Sequence, residues 1–149
     1  MSVSAFAQKS AVSSAKSDYE SYTTLRGASP QLAQPKLKSA KEAIDKAVLH
    51  EKTKNDPGAW TYRALIYADM AANDSTSAAD QLTAEALTAL NKAKELDNAG
   101  AQKENIQKAV TLLSQGQLIK GKNFYDKQKY AEAYKEFNKG LEYAPGDTT

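Results

Sequence analysis

The chain predicts an all-α fold of about three antiparallel helix pairs, and three observations carry that prediction. Apolar residues recur at three- and four-residue steps, with no sustained alternation of period two. Alanine, leucine, lysine and glutamate, all strong helix formers, dominate the composition. The few prolines and glycines (4 and 7 in 149 residues) fall largely where one helix must give way to the next. The helices expected are about 9–26, 36–54, 58–73, 78–96, 102–127 and 129–143. The length suits one domain, able to bury roughly 70% of the surface that its unfolded chain exposes.

In the first pair, AVSSAKSDYESYTTLR sets Val12, Ala15, Tyr19 and Tyr22 on one helical face. RGASPQLAQP follows, and its Gly27, Pro30 and Pro35 signal a break. The second helix is AKEAIDKAVLHEKTKN, with Ala43 and Ala47 inward and Pro57 beyond it. The second pair opens on AWTYRALIYADM, where Trp60, Ala64 and Tyr67 stand at steps of four and three. Its partner, EALTALNKAKELDN, offers Ala86, Leu90 and Ala93. Between them lies AANDSTSAADQ, from which Asp74 or Ser75 is expected to cap the following helix.

The third pair is the most informative. After the extra turns of KENIQKAVTLL comes QLIKGKNFYDKQKYAEAYKEFNKGLEYAP. Gly121 and Gly140 sit inside apolar-periodic helices, where glycine costs about 1 kcal/mol relative to alanine. A sequence accepts that cost where a neighbouring backbone must come close. Phe124, Tyr130, Ala133, Phe137 and Leu141 form the accompanying stripe. Pro145 then ends the last helix.

These residues resemble a tetratricopeptide repeat, whose pattern is W-x2-L-G-x2-Y, A-x3-F and P over about 34 residues. Gly121, Phe124, Ala133, Phe137 and Pro145 match it, with Gly140 as a further small residue; Gln117 and Lys120 stand at its tryptophan and leucine places. Upstream, Trp60, Ala64, Tyr67, Ala86, Leu90 and Ala93 make a second copy, with Arg63 for leucine and an insertion of roughly ten residues relative to the pattern. The first copy keeps no fixed register. The resemblance implies a superhelical solenoid whose first helices line a concave groove for extended peptides or partner helices. Carried over by position, the groove residues would be Thr61, Leu65, Ala68 and Asp69 in one repeat. In the next they would be Leu118, Lys122, Tyr125 and Asp126, with Tyr125 the favoured aromatic anchor. The carboxylate-gripping variety of the family is not expected, because its places hold Thr61, Leu65, Gln115 and Ile119.

Catalytic and metal signatures are sparse. His50 is the sole histidine and cysteine is absent, which excludes the usual zinc sets and Cys–His pairs. His50 stands near a helix end, where it suits the negative end of the dipole. No glycine-rich phosphate loop occurs. Net charge is +2, with both signs interleaved along each helix, which argues against a nucleic-acid face. No run approaches the ~20 apolar residues of a membrane helix.

The expected function is therefore a non-catalytic protein-interaction scaffold without a cofactor. The alternative is a cell-envelope protein binding glycans or nutrients. Residues 9–149 form the repeat domain. Residues 1–8 read as a frayed start or the end of a secretory signal, from Ala5-Phe6-Ala7, which suggests a periplasmic or secreted location. The last helix carries Tyr134, Phe137, Leu141 and Tyr143, more apolar surface than one preceding helix covers. Either the chain is a piece of a longer repeat protein, or this end associates with another chain.

Overall fold

The computed structural model describes residues 3–144, with side chains from Ala11 to Ala144. Six helices follow in order: α1 (Val3–Leu25), α2 (Pro30–Leu49), α3 (Pro57–Asn73), α4 (Ala78–Leu96), α5 (Lys103–Asp126) and α6 (Tyr130–Tyr143). No strand occurs among the described residues, so the protein is all-α. Short connections fold consecutive helices onto each other as α1/α2, α3/α4 and α5/α6. Between pairs, α3 touches α1, α2 and α5, α4 touches α5, and α6 packs on α5 alone.

The central position of α3 explains its composition. Ala59, Thr61, Tyr62, Ala64, Leu65, Ile66, Tyr67, Ala68 and Asp69 are all buried, because neighbours surround this helix on several sides. Outer helices bury one stripe each: Ala33, Leu37, Ala40, Ile44 and Ala47 in α2, and Ala86, Ala89, Leu90 and Ala93 in α4. Val12 packs at the edge of the core that contains Ala15, Tyr19 and Tyr22.

Several expectations about helix boundaries need correction, beginning with α1, which starts at Val3 and not near residue 9. The second helix begins at Pro30 and contains Pro35, where a break was expected. Pro30 occupies the first turn, where its missing N–H has no helical partner to lose. Pro35 lies one turn further on; only its own bond to the Gln31 carbonyl is lost, and both residues are exposed to water. The helix also stops earlier than predicted, at Leu49, with His50 as its C-cap. There the His50 imidazole accepts the Lys52 N–H through Nδ1 (3.3 Å), and the buried Thr53 hydroxyl donates to the Ala47 carbonyl. The expected cap of α4 is also displaced. Asp74 accepts from the Thr76 N–H (2.7 Å) within the turn, and Thr76, not Asp74 or Ser75, accepts the Ala78 N–H (3.1 Å).

The small residues of the third pair stand at a close helix–helix approach. A Cβ built on the buried Gly121 would lie 2.6 Å from two ring carbons of Phe137. One on Gly140 would lie 3.2 Å from the Ser114 carbonyl, and the Ser114 hydroxyl donates to the Gly140 carbonyl (2.8 Å). Ala133 is buried beside them. Tyr130, expected in the apolar stripe, is instead 58% exposed and packs edge-on against Tyr125 across the α5–α6 turn. Pro145 lies outside the described residues.

Where the repeat pattern asks for leucine, two cations make matching joints. Arg63 reaches back to Asp45 on α2 (3.3 Å) and across to Glu85 on α4 (3.1 Å), with its guanidinium 4.4 Å from the centre of the Tyr67 ring. Lys120 reaches back to Asp80 on α4 (2.6 Å) and across to the buried Glu136 on α6 (3.6 Å). Each cation thus links the even helix of the preceding pair to that of its own pair. Partnering on both sides offsets the cost of partly burying the charge.

Candidate binding groove

The odd helices α1, α3 and α5 enclose a cleft of about 560 Å³. Tyr62 and Leu65 of α3 form its floor. Tyr19 and Thr23 of α1, with Arg26 just past its end, make one wall; Lys108, Thr111 and Leu112 of α5 make the other. Arg26 and Leu112 also border a second hollow of about 400 Å³, which continues along α3 past Tyr22, Asp69 and Asn73. The two hollows lie side by side along α3, with Arg26 and Leu112 on their common border.

A buried polar cluster holds the α1 wall to the floor. Asp69, only 3% exposed, accepts the Tyr19 hydroxyl (2.6 Å) and the Arg26 guanidinium (2.8 Å). Asn73 donates to the Tyr22 hydroxyl and to the Asp69 carbonyl, both at 2.8 Å. Burial raises the Asp69 carboxyl above its ordinary pKa, although the Tyr19 hydrogen bond and Arg26 oppose the rise. Burial and the Asp69 charge push the Tyr19 phenol far up, so it remains a neutral donor. Arg26 is half-exposed and stays charged: desolvation is the largest single effect and acts against the charge, but Asp69, Tyr22 and Tyr19 together outweigh it.

To a ligand, these residues offer an apolar floor, hydroxyl and amide hydrogen bonds, and one guanidinium. Lys108 is paired with Glu104 (2.9 Å), so the opposite rim carries balanced charge. Among the described residues, no group of three or more histidine or carboxylate side chains is placed to hold a metal ion. No helix among them is long and apolar enough to cross a membrane.

The sequence-predicted groove residues are largely elsewhere. Thr61 is fully buried, and its hydroxyl donates to the Pro57 carbonyl (2.7 Å). Leu65 and Asp69 border the groove but expose only 3% of their surfaces, while Ala68 lines a different hollow between α3, α4 and α5. Thr61 and Ala68 are shut away from the cleft, and Tyr19 and Arg26 close over Asp69, so of these four places Leu65 alone offers an edge of floor. The corresponding residues of α5 are open but face away from the cleft. Leu118 packs over Gly140 on α6, Tyr125 lies against Tyr130 at the turn, and Lys122 pairs with Asp126 along α5.

Arg26, Tyr62, Lys108, Thr111 and Leu112 were not singled out from the sequence, and Tyr19 was read only as part of the buried face of the first helix. One signal was present: Asn105, Lys108, Leu112, Gln115 and Ile119 form a second stripe at three- and four-residue steps on α5, distinct from its core stripe. No protein-family model, curated protein or solved structure matches the chain.

Proposed function

We propose that the protein is a non-catalytic interaction scaffold of tetratricopeptide-like build, binding an extended segment of a partner protein in the groove between α1 and α5. The observation supporting this most directly is the groove itself: a cleft with a Tyr62–Leu65 floor, Leu112 on its α5 wall and hydrogen-bonding groups along its rims. An apolar side chain of the partner fits against that floor, with its main chain meeting the polar rims. Pockets with a largely apolar lining and a few placed polar groups bind ligands without further machinery.

The repeat solenoid is supported by three consecutive helix pairs, the Gly121–Phe137 approach, and the matching Arg63 and Lys120 joints. Glycan binding is less well supported. The single tryptophan is half-buried, its indole N–H donates to the Lys54 carbonyl (2.6 Å), and Arg63 stands over its ring, so it offers no free stacking platform. No cofactor or nucleic-acid partner enters this proposal. Export to the periplasm or beyond is proposed from Ala5-Phe6-Ala7 alone, within the first turns of α1.

Pull-down from envelope extracts tests the groove. Thr111→Trp places an indole in the cleft and should abolish partner capture, with the circular-dichroism melting curve unchanged. Ser13→Trp, on the exposed side of α1, should capture normally. Equal capture by both variants would falsify the groove as the binding surface.

A further inference from the structure

Resting on the groove as the binding surface, we infer that the bound segment sets an apolar side chain on the Tyr62–Leu65 floor and, two residues away, an aspartate or glutamate against Arg26. Arg26 stands on the border that the two hollows share, so it is within reach of a segment that crosses from one to the other.

Charge distinguishes the two hollows. The larger is lined by the carboxylates Glu20 and Glu104, each paired along its own helix, with Lys16 (3.9 Å) and Lys108 (2.9 Å). An acidic side chain placed there would face both carboxylates, whereas Tyr62 and Leu65 below suit an apolar one. In the smaller hollow the charged lining side chains, among the described residues, are Arg26 and Asp69. Asp69 is buried with both oxygens occupied, Oδ2 by the Tyr19 hydroxyl and Oδ1 by Nη1 of Arg26. The Arg26 side chain is 48% exposed. A ligand entering this hollow therefore meets the cation and not the anion that balances it.

The guanidinium is also set up to take a carboxylate. Its fork carries five N–H donors, and Asp69 engages one nitrogen. Asp69 and the Tyr22 ring, centred 5.8 Å from the guanidinium carbon, hold the fork in place, so binding has less side-chain freedom to remove. Gln34 and Gln115 bring amide groups to the same hollow. Ala72 and Gly116 leave room beside them, and a Cβ built on Gly116 meets nothing within 4 Å. Charge-assisted bonds from such a donor set favour a carboxylate over its neutral amide. Alternate residues of an extended segment point to the same side, about 6.6 Å apart, which suits two hollows with a common border.

Fluorescence anisotropy on the full chain tests this. The probes are short labelled peptides with one leucine and with Glu, Gln or Lys two residues to either side of it. Their ends are acetylated and amidated, so the side chain is the sole source of a carboxylate. The Glu peptides should bind about tenfold more tightly than their Gln counterparts, and the Lys peptides most weakly. Arg26→Gln should erase the preference for Glu. Because that change leaves Asp69 buried without its cation, Arg26→Gln with Asp69→Asn is the second variant; the asparagine still accepts from the Tyr19 hydroxyl, and the preference should again be erased with the helical signal retained. Thr111→Trp should abolish binding of every peptide. Equal binding of Glu and Gln peptides, lost in Thr111→Trp, overturns the inference and leaves the groove standing. A Glu preference that survives both Arg26 variants overturns it too, since the carboxylate then sits elsewhere. Binding of no peptide also overturns it, and the pull-down with Thr111→Trp then decides the groove separately.

Discussion

The Phe137 ring rests on the backbone of Gly121, occupying the space that any larger residue's Cβ would need. This contact lets α6 close on α5, and it explains why a helix interior carries a residue that opposes helix formation. Gly121→Ala should therefore destabilise the protein by about 1–2 kcal/mol, the overpacking strain exceeding the gain in helix propensity. Gly116, in the same helix, has nothing within 4 Å of a built Cβ. Gly116→Ala should stabilise by about 1 kcal/mol. Urea titration of the two variants must give opposite signs; a stabilised Gly121→Ala would show that the close approach is not a constraint.

Arg63 and Lys120 both stand where the repeat pattern places an apolar residue. Arg63→Leu keeps most of the packing volume. Glu85 is 42% exposed and can turn to water, and Asp45 keeps Lys41 and the Tyr67 hydroxyl. This variant should lie within about 1 kcal/mol of the wild type, as buried ion pairs often do when replaced by apolar residues. Arg63→Ala also loses the aliphatic stem and its contact with Tyr67, and should cost about 2 kcal/mol. Thermal denaturation of both proteins decides the matter: equal losses would mean that the charge outweighs the packing.

Asp69 ties the α1 wall to the groove floor. Asp69→Ala orphans the Tyr19 hydroxyl and should cost about 1–3 kcal/mol. Tyr19→Phe removes the donor but leaves Arg26 on the carboxylate, so its cost should be smaller. Hydrogen exchange at the α1–α3 contact should quicken in Asp69→Ala before the α5–α6 amides respond. Uniform acceleration across the chain would show that the cluster is not a local clasp.

The same carboxyl gives stability a defined pH dependence. Its folded-state pKa lies above the ordinary 3.8, chiefly through burial. Its contribution is thus complete below about 3.8 and is lost as pH rises through the raised folded value. Asp18, held down by Ser39 and Lys36, and Asp80, held down by Lys120, behave oppositely. Their contributions are present above 3.8 and are lost as pH falls through their lowered folded values. The stability difference between wild type and Asp69→Asn should therefore shrink as pH climbs from 3.8 through the Asp69 window and level off above it. A flat difference from strongly acid to neutral pH would refute the perturbation.

Much of the architecture was legible because its causes are local. The apolar period of three and four residues, and the breaks near Gly27 and Pro57, mark six helices; α3 to α6 fall close to their expected bounds, whereas α1 and α2 begin several residues earlier than expected. Pro35 misled because a proline breaks a helix where the bond it removes leaves a carbonyl without a partner, and here the one carbonyl freed, on Gln31, faces water. Gly121 was readable as a contact point, and its partner, Phe137, belonged to the same spaced pattern.

The groove was less legible for a physical reason. Whether Thr61 or Leu65 meets solvent depends on the helices lying over α3, and these are brought there by chain segments tens of residues away. Asp69 is indistinguishable in the sequence from a wet carboxylate, yet Tyr19 and Arg26 of α1 close over it. By itself the sequence determined the helical class, the pairing of neighbours and the sites where small residues permit contact, since each follows from short-range sterics and hydrogen bonding. Only the tertiary structure decided which helix faces became seam, groove or open end, because burial of a face belongs to the neighbour that covers it.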